Sequence, residues 1–166
     1  AYAYSDAGNG IGYSYLSLRG FDQRRVAVNI NGAPLNDPES HQVYFIDLAD
    51  FAGSLQSLQV QRGTGTALYG SPAVGGAVNL ETGALAQARS GTLTLGGGSF
   101  GTYRGSLAFS QPLGERSALL LRAAHVRSDG YREPSWTRHS FAQLAYQRTG
   151  ARSVLRVQAF GGPEET

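Results

Sequence analysis

A glycine-rich stretch at residues 63–70, Gly-Thr-Gly-Thr-Ala-Leu-Tyr-Gly, has the residue types of a loop that binds phosphate. A P-loop ends in Lys followed by Ser or Thr, and a dinucleotide-binding loop would need a third glycine where this chain has Leu68. Ser71 follows Gly70 directly, and all 14 basic residues of the chain are arginine. The stretch therefore does not predict a nucleotide site.

The other residues that could do chemistry are scattered. His41, His125 and His139 have no second histidine at metal-ligand spacing, and the chain contains no cysteine. No Gly-x-Ser-x-Gly motif is present, and the pair Glu164 and Glu165 is typical of a solvated loop. We therefore expect no catalytic residue, no metal site, no cofactor and no enzyme activity. The net charge of +2 is too small to predict nucleic-acid binding.

The elements around the glycine-rich stretch are predicted to be strands. Apolar and polar residues alternate at 57–62, and a second strand follows at 77–82. Earlier in the chain, strands are predicted at 16–20 and 26–30, and Asn31-Gly32 predicts a tight turn after the second. Residues 36–40 offer a helix cap with a proline in a first helical turn. Asp50 or Ser54 is predicted to cap a short helix.

From Ser90 onward the pattern has a period of two, which predicts five strands of about ten residues with one apolar face each. A transmembrane β-barrel has this pattern, although soluble β-sandwiches alternate as well. Leu120 and Phe141 interrupt the polar face. The residues predicted to face lipid are Leu107, Phe109, Leu121 and Leu155. The residues predicted to face the barrel lumen are Arg104, Ser106, Arg122, Arg156 and Gln158.

The connections between these segments differ in length. Tight turns are predicted at 112–116 and 149–151, and a longer loop at 128–138. Outer-membrane barrels have short periplasmic turns and longer outer loops. This difference predicts that residues 112–116 are periplasmic. Four aromatic or amphipathic residues then fall near the outer interface: Tyr103, His125, Tyr131 and Trp136.

Three motifs in a fixed order carry a family resemblance. They are Leu-Ser-Leu-Arg-Gly at 16–20, Val-Ala-Val-Asn-Ile-Asn-Gly-Ala-Pro-Leu-Asn at 26–36, and a closing block at 58–79. The closing block contains Leu-Gln-Val-Gln-Arg-Gly, Ala-Leu-Tyr-Gly and Val-Gly-Gly-Ala-Val-Asn. Together they resemble the plug domain of TonB-dependent outer-membrane receptors. Asn31 stands where Asp is usual, and Thr64 where Pro is common, but Asn-Gly forms the same type of turn.

The resemblance implies an α+β plug fragment with a small mixed sheet at residues 1–84, followed by the first five antiparallel barrel strands at 85–166. It implies an internal fragment of a longer protein, whose signal peptide, energy-coupling box and first plug residues precede Ala1. The whole protein would be an active transporter in the bacterial outer membrane, with its plug in the barrel lumen. It would contact outer-membrane lipid and the TonB complex, the latter through a region absent from this chain. The alternative is a soluble, glycine-rich, all-β binding or adhesion module without transport activity.

The resemblance also assigns roles to individual residues. The transported ligand would be a scarce small molecule, such as a ferric siderophore, haem, cobalamin or an oligosaccharide. Arg19 and Arg62, each in an Arg-Gly step, are expected to pair with glutamates of the barrel wall. Tyr15 and Tyr44 would supply apolar surface beside the ligand. The residues expected at the ligand-binding apex of the plug are Tyr13, Ser14, Asp22, Ser40, His41 and Gln42.

Overall fold

The computed structural model describes residues 1–6, 8, 10–63, 74–83 and 88–166 of the chain. The chain divides into two units. The first contains Ala1–Ile46 and Ala52–Gly83, and the second contains Asp47–Phe51 and Ala84–Thr166. The short segment Asp47–Phe51 thus belongs to the second unit, although residues of the first unit precede and follow it.

The first unit begins with a three-stranded antiparallel sheet of β1 (Tyr2–Ser5), β2 (Ser14–Leu18) and β3 (Phe21–Asp22). The sequence predicted β2 but not β1. The predicted strand at 16–20 was too long, because Arg19 and Gly20 have φ angles of 56° and 82°. Two consecutive residues with positive φ form the tight turn of a hairpin, so the chain reverses directly into β3.

The second sheet of this unit is mixed and has the order β5-β4-β7-β6. Its strands are β4 (Val26–Ile30), β5 (Ala33–Pro34), β6 (Leu55–Arg62) and β7 (Gly76–Thr82). β4 runs parallel to β7, and the other pairs are antiparallel. All five residues of β4 are buried, as expected for a strand covered on both faces. β6 is an edge strand whose Leu58 and Val60 remain exposed.

The predicted Asn31-Gly32 turn joins β4 to β5. The φ angles of the two residues are 51° and 83°, which a type I′ turn requires. The Asn31 side chain also binds Thr82 at the end of β7, by donating to its Oγ1 at 2.8 Å and accepting from its backbone N–H at 3.0 Å. The turn residue therefore fixes the parallel β4–β7 pair as well as the hairpin.

The helical elements of the described residues are three short 3₁₀ helices at Gln23–Arg25, Phe45–Leu48 and Phe51–Ser54. The last one confirms that a short helix precedes β6. No helix in this described part of the chain is long and apolar enough to cross a membrane.

The second unit is an antiparallel sheet in which five long strands follow one another in chain order. They are β8 (Ser90–Gly98), β9 (Thr102–Pro112), β10 (Ser117–Ser128), β11 (Thr137–Thr149) and β12 (Val154–Gly161). A two-residue strand, β13 (Glu164–Glu165), pairs with β11. The mixed sheet and the five antiparallel strands predicted from the sequence are confirmed.

The two faces of this sheet differ in chemistry. Leu121 lies opposite Phe109 on one side and Leu144 on the other, which places all three on one apolar face. Arg122 lies between Ala108 and Gln143 on the opposite face. Phe141 belongs to this second face and is only 3% exposed there. We call the two sides the apolar face and the mixed face.

The lengths of the connections between these strands agree in part with the prediction of short turns at one end and longer loops at the other. Residues 113–116 and 150–153 form short turns at one end of the sheet, and residues 129–136 form a longer loop at the other. The connection at 99–101 shares the end of the longer loop but has only three residues. The predicted difference in length therefore holds for one of the two loops at that end.

Candidate functional site

The best-defined candidate loop spans residues 36–42. The Asn36 side chain accepts a hydrogen bond from the Val28 N–H at 2.8 Å and donates to the Val26 carbonyl at 3.0 Å. Its amide group thus continues the hydrogen bonding of β4 beyond the two residues that pair with β5. The loop is thereby attached to the most deeply buried strand of the first unit.

Asp37 closes this loop. Its carboxylate accepts hydrogen bonds from the backbone N–H and the hydroxyl of Ser40, at 2.7 and 2.8 Å. These bonds, the backbone one above all, lower the pKa of Asp37. The predicted cap is therefore present, but the helix is not: the chain makes one turn and ends it at His41, whose φ is 58°. Because of this turn, His41 is exposed between the half-buried Ser40 and Gln42.

Asp22 lies in a different loop of the first unit. It caps the 3₁₀ helix Gln23–Arg25 by accepting a hydrogen bond from the Arg24 N–H at 2.9 Å. Its carboxylate also forms an ion pair of 2.8 Å with the Arg24 side chain. The side-chain hydrogen bond from Arg24 lowers the pKa of Asp22. Because both groups are more than half exposed, the pair adds little to stability.

Tyr13 and Ser14 lie at the start of β2. Tyr13 is 51% exposed, and the Ser14 hydroxyl donates to the Gly12 carbonyl at 3.1 Å. Next to them, the rings of Tyr15 and Tyr4 stack at 5.1 Å. The Tyr15 hydroxyl donates to Asp6, and this bond raises the pKa of Tyr15. The rings of Tyr4 and Tyr15, and the hydrogen bond from Tyr15 to Asp6, thus lie beside the predicted ligand-binding residues of this hairpin.

The six predicted apex residues thus occupy three loops, and each loop is closed by its own hydrogen bonds. Ser40, His41 and Gln42 come together in the loop at 36–42. Tyr44, predicted to lie beside the ligand, is 48% exposed just after this loop. All of these side chains are at least partly accessible, so a ligand can reach them.

Arg19 and Arg62, predicted to pair with glutamates of the barrel wall, are both exposed. An Arg19 guanidinium nitrogen lies 3.5 Å from where a side-chain carbon on Gly63 would be, so Arg19 extends toward the end of β6. Both arginines are thus accessible to an acidic partner. The Ala-Leu-Tyr-Gly motif at 67–70 and most of the glycine-rich stretch lie outside the described residues.

The mixed face of the second unit carries a charged cluster that the sequence did not predict. Asp50 forms ion pairs with both Arg104 and Arg122. The Asp50 side chain is 4% exposed and that of Arg122 is 7% exposed. The sequence predicted that Asp50 or Ser54 caps a short helix, and Asp50 directly precedes the 3₁₀ helix Phe51–Ser54. The two arginines had been placed correctly on one face by their period-two spacing.

Two concave regions of the second unit lie outside the predicted apex. One, of about 560 Å³, is lined by the short turns and includes Glu115, Arg116 and Thr149. The other, of about 460 Å³, lies in the longer loop beside Arg132 and Trp136. Among the described residues, no group of three or more histidines and carboxylates is arranged to hold a metal ion.

Residues 2–77 match the family of TonB-dependent receptor plug domains. The chain is similar to the pyoverdine outer-membrane receptor FpvA of Pseudomonas aeruginosa PAO1, with a TM-score of 0.71 and 19% identity over 89% of this chain and 21% of that one.

Two further solved structures match a similar extent of the chain. The ferric yersiniabactin uptake receptor FyuA of Yersinia pestis has a TM-score of 0.67 and 20% identity, covering 95% of this chain and 26% of that one. The copper transporter OprC has a TM-score of 0.71 and 18% identity, covering 93% and 26%. This chain therefore spans about a fifth to a quarter of their length. Residues 2–77 belong to the TonB-dependent receptor plug domains, and the chain has the fold of the plug and first barrel strands of TonB-dependent outer-membrane receptors, as its motifs predicted.

Proposed function

We propose that this chain is part of a TonB-dependent transporter that binds a scarce ligand at the bacterial outer membrane and imports it. One observation carries the proposal: a plug domain is followed, in the same chain, by five antiparallel strands with a continuous apolar face. An exposed apolar face is costly in water and favourable in lipid. A soluble binding module would expose this face to water at a cost in free energy.

In this proposal the plug comprises residues 1–84, and the barrel strands begin at residue 85. The apolar face contacts outer-membrane lipid, and the mixed face lines the lumen that contains the plug. The turns at 113–116 and 150–153 are periplasmic. The energy for import comes from the TonB complex, which binds a part of the receptor outside this chain.

The ligand is proposed to be a metal chelate, with ferric siderophores first. The support is that FpvA is described with bound pyoverdine and FyuA as a ferric yersiniabactin uptake receptor. Haem, cobalamin and oligosaccharides are the other ligand classes to be tested. The loop at 36–42 is proposed as the first contact, because it combines exposed polar groups with a backbone that is attached to β4.

The test of the function is uptake by cells that express the full-length receptor and no other receptor for the ligand. Radiolabelled ferric siderophores, haem, cobalamin, oligosaccharides and copper are offered to cells with and without a working TonB complex. We expect at least one ligand to accumulate, and only in cells with the complex. No accumulation of any ligand, or accumulation independent of the complex, would contradict the proposal.

The ligand-binding role of the apex is tested by affinity on the purified receptor. His41→Asn removes the imidazole while keeping a residue that tolerates positive φ, so the loop should retain its shape. We expect this change to weaken binding about tenfold, the loss of one hydrogen bond to a charged group. The matched control is Glu39→Ala in the same turn, with unchanged affinity. Equal affinities of the His41→Asn and parent receptors would remove His41 from the site.

Asp22 has its own control in Arg24. Asp22→Asn removes the charge, while Arg24→Ala removes the ion-pair partner and leaves the carboxylate in place. If Asp22 contacts the ligand, the first change weakens binding and the second does not. If both variants weaken binding equally, the residues act through the local fold instead.

Arg19 and Arg62 are proposed to hold the plug in the barrel through wall glutamates. Both are exposed, Arg19 in the turn after β2 and Arg62 at the end of β6, which leaves them available for such pairs. Replacing both by Ala in the full-length receptor should lower uptake and make the plug more sensitive to protease, with normal barrel insertion. Wild-type uptake and protease resistance in the double variant would reject the role.

A further inference from the structure

The segment Asp47–Phe51 is attached to the mixed face of the second unit by two side chains. One is Asp50, whose two carboxylate oxygens each accept from a different arginine. Arg104 donates from β9 and Arg122 from the neighbouring strand β10. The carboxylate therefore bridges two adjacent strands. Arg122 also donates to the Asp50 backbone carbonyl at 3.4 Å.

The other contact is aromatic. Phe51 is 2% exposed, and its ring centroid lies 5.3 Å from that of Phe160 and 6.1 Å from that of Phe141. The Phe51 and Phe141 rings meet edge to face at 74°, a favourable arrangement for aromatic pairs. Asp50 and Phe51 are consecutive in the chain. The first thus places a negative charge against two arginines, and the second places an aromatic ring against two phenylalanines, on one face of the sheet.

Removing one partner of these contacts should cost more than removing one partner of an ordinary surface ion pair. Exposed pairs contribute little because water screens them, but Asp50 and Arg122 are almost completely buried. If one partner of such a pair is removed, a buried charge remains next to the space where its counter-charge had been. The backbone at Asp50 has a φ of 55°, a conformation that Asp tolerates better than most residues. Charge, burial and backbone therefore all favour this segment staying where it is.

We propose that Asp47–Phe51 is an anchor: it stays bound to the mixed face through Asp50 and Phe51 while plug residues before and after it rearrange during ligand passage. The binding site for this anchor consists of Arg104, Arg122, Phe141 and Phe160, and it recognises an acidic residue followed by an aromatic one. The proposal rests on the transport function in its second part only. The attachment itself is a property of the folded chain.

The attachment is tested without transport, on the purified full-length receptor. Ala49→Cys provides a reporter thiol within the anchor, because this chain has no cysteine; any cysteine elsewhere in the receptor is replaced. The rate of reaction with a water-soluble maleimide is then compared between variants. We expect Asp50→Asn and Arg122→Gln to raise the labelling rate about tenfold or more.

Two further variants keep this test decisive. Arg104→Gln changes a side chain that is 43% exposed, so the fold should survive, and the labelling rate should rise severalfold. Arg156→Gln removes a charge from the same face, where the Arg156 side chain donates to Gln147, and the rate should stay within about twofold of the parent. If Asp50→Asn and Arg104→Gln label at the parent rate, or if Arg156→Gln raises the rate as much as they do, the anchor is overturned.

The persistence of the anchor during transport is tested by cross-linking. Phe51→Cys and Phe160→Cys are joined by dibromobimane, a short thiol-to-thiol reagent that becomes fluorescent on bridging. We expect the cross-linked receptor to retain at least half of the uptake of the two single-cysteine variants treated with the same reagent. Uptake abolished by the bridge alone would mean that the segment must leave the barrel face. If the parent receptor imports no ligand, the proposed transport function fails, and the labelling result still decides the attachment.

Discussion

The two main sheets of the chain bury their residues in different ways. Every residue of β4 is buried, in a small mixed sheet whose core is made within the first unit. In β10, by contrast, residues 121 to 128 alternate between exposed and buried. The central strand β4 is therefore fully buried within the folded chain, although Leu58 and Val60 of the edge strand β6 remain exposed. The second sheet exposes an apolar face that needs an apolar surrounding outside the chain.

Glycine has a different role in the two sheets. In β7, a side chain on Gly76 would collide with the Gln61 carbonyl and with Leu18, and Gly76 has a φ of 147°. In β8, Gly91 has no atom within 4 Å of where its side chain would be. Gly76 of the plug sheet is therefore required by close packing, while Gly91 of β8 leaves open surface. Gly76 thus lies in a tightly packed core, whereas Gly91 lies on an open surface of its sheet.

The largest effect is expected for Gly76→Ala. The backbone conformation costs a residue with a side chain about 1–3 kcal/mol, and the overpacking adds about 1–3 kcal/mol. Gly32→Ala has a similarly positive φ of 83° but open space, so it should show only the backbone part, about 1–2 kcal/mol. Gly91→Ala should be close to neutral. The measurement is the denaturant concentration at which the sheet that carries the substituted glycine, in the purified receptor, loses its protease resistance.

The test is the order in which the three substitutions destabilise the protein. If Gly91→Ala destabilised the second sheet as much as Gly76→Ala destabilises the plug, close packing would not distinguish the two sheets. If Gly32→Ala and Gly76→Ala were equal, the backbone alone would explain the effect.

A smaller effect is expected when a charge is added to the two faces of the second sheet. Leu107→Arg places a charge on the apolar face and should destabilise the barrel by about 2–4 kcal/mol at mid-bilayer depth. Thr94→Arg, on the neighbouring strand and the mixed face, should cost less than about 1 kcal/mol, because it points away from lipid. Urea titration of the receptor in lipid vesicles measures both. Equal costs would mean that the faces are not distinguished by lipid.

The smallest effect is expected from the pH dependence of the loop at 36–42. The N–H and hydroxyl groups of Ser40 lower the pKa of Asp37 below its ordinary value of 3.8. The ionised carboxylate therefore stabilises the loop at pH values above 3.8, and this contribution is lost as the pH falls through the lower, folded-state pKa. The stability difference between the parent and Asp37→Asn should be constant near neutral pH and disappear in acid. A difference that persists unchanged below the folded-state pKa would contradict this assignment.

Much of the fold follows from local patterns in the sequence. Alternation places the strands from β8 to β12, and Asn31-Gly32 gives the turn after β4, because both depend on neighbouring residues. β1 was missed because four residues at a chain end carry little pattern. The Arg-Gly step was taken as strand, although Gly20 favours the positive φ that turns the chain.

The candidate site was less predictable. The sequence indicated a cap at 36–40, but it gave no sign that the Asn36 side chain attaches this loop to Val28 of β4, 8 residues earlier. Asp50 was predicted, as an alternative to Ser54, to cap a short helix, because Asp and Ser are common at that position. Its actual partner Arg122 is 72 residues away. A pairing over such a distance leaves no signal in the spacing of either residue.

The central claim is that the strands after the plug form a barrel wall whose apolar face contacts lipid. Spin labels placed one at a time on the full-length receptor in vesicles test it most directly. The labelled positions on the apolar face are Leu107, Leu121, Leu144 and Leu155, and those on the mixed face are Thr94, Arg156 and Gln158. We predict that oxygen, which concentrates in lipid, relaxes the labels of the first group more than a water-soluble nickel complex does, and that the labels of the second group show no such preference. The same accessibility at both sets of positions would contradict the account.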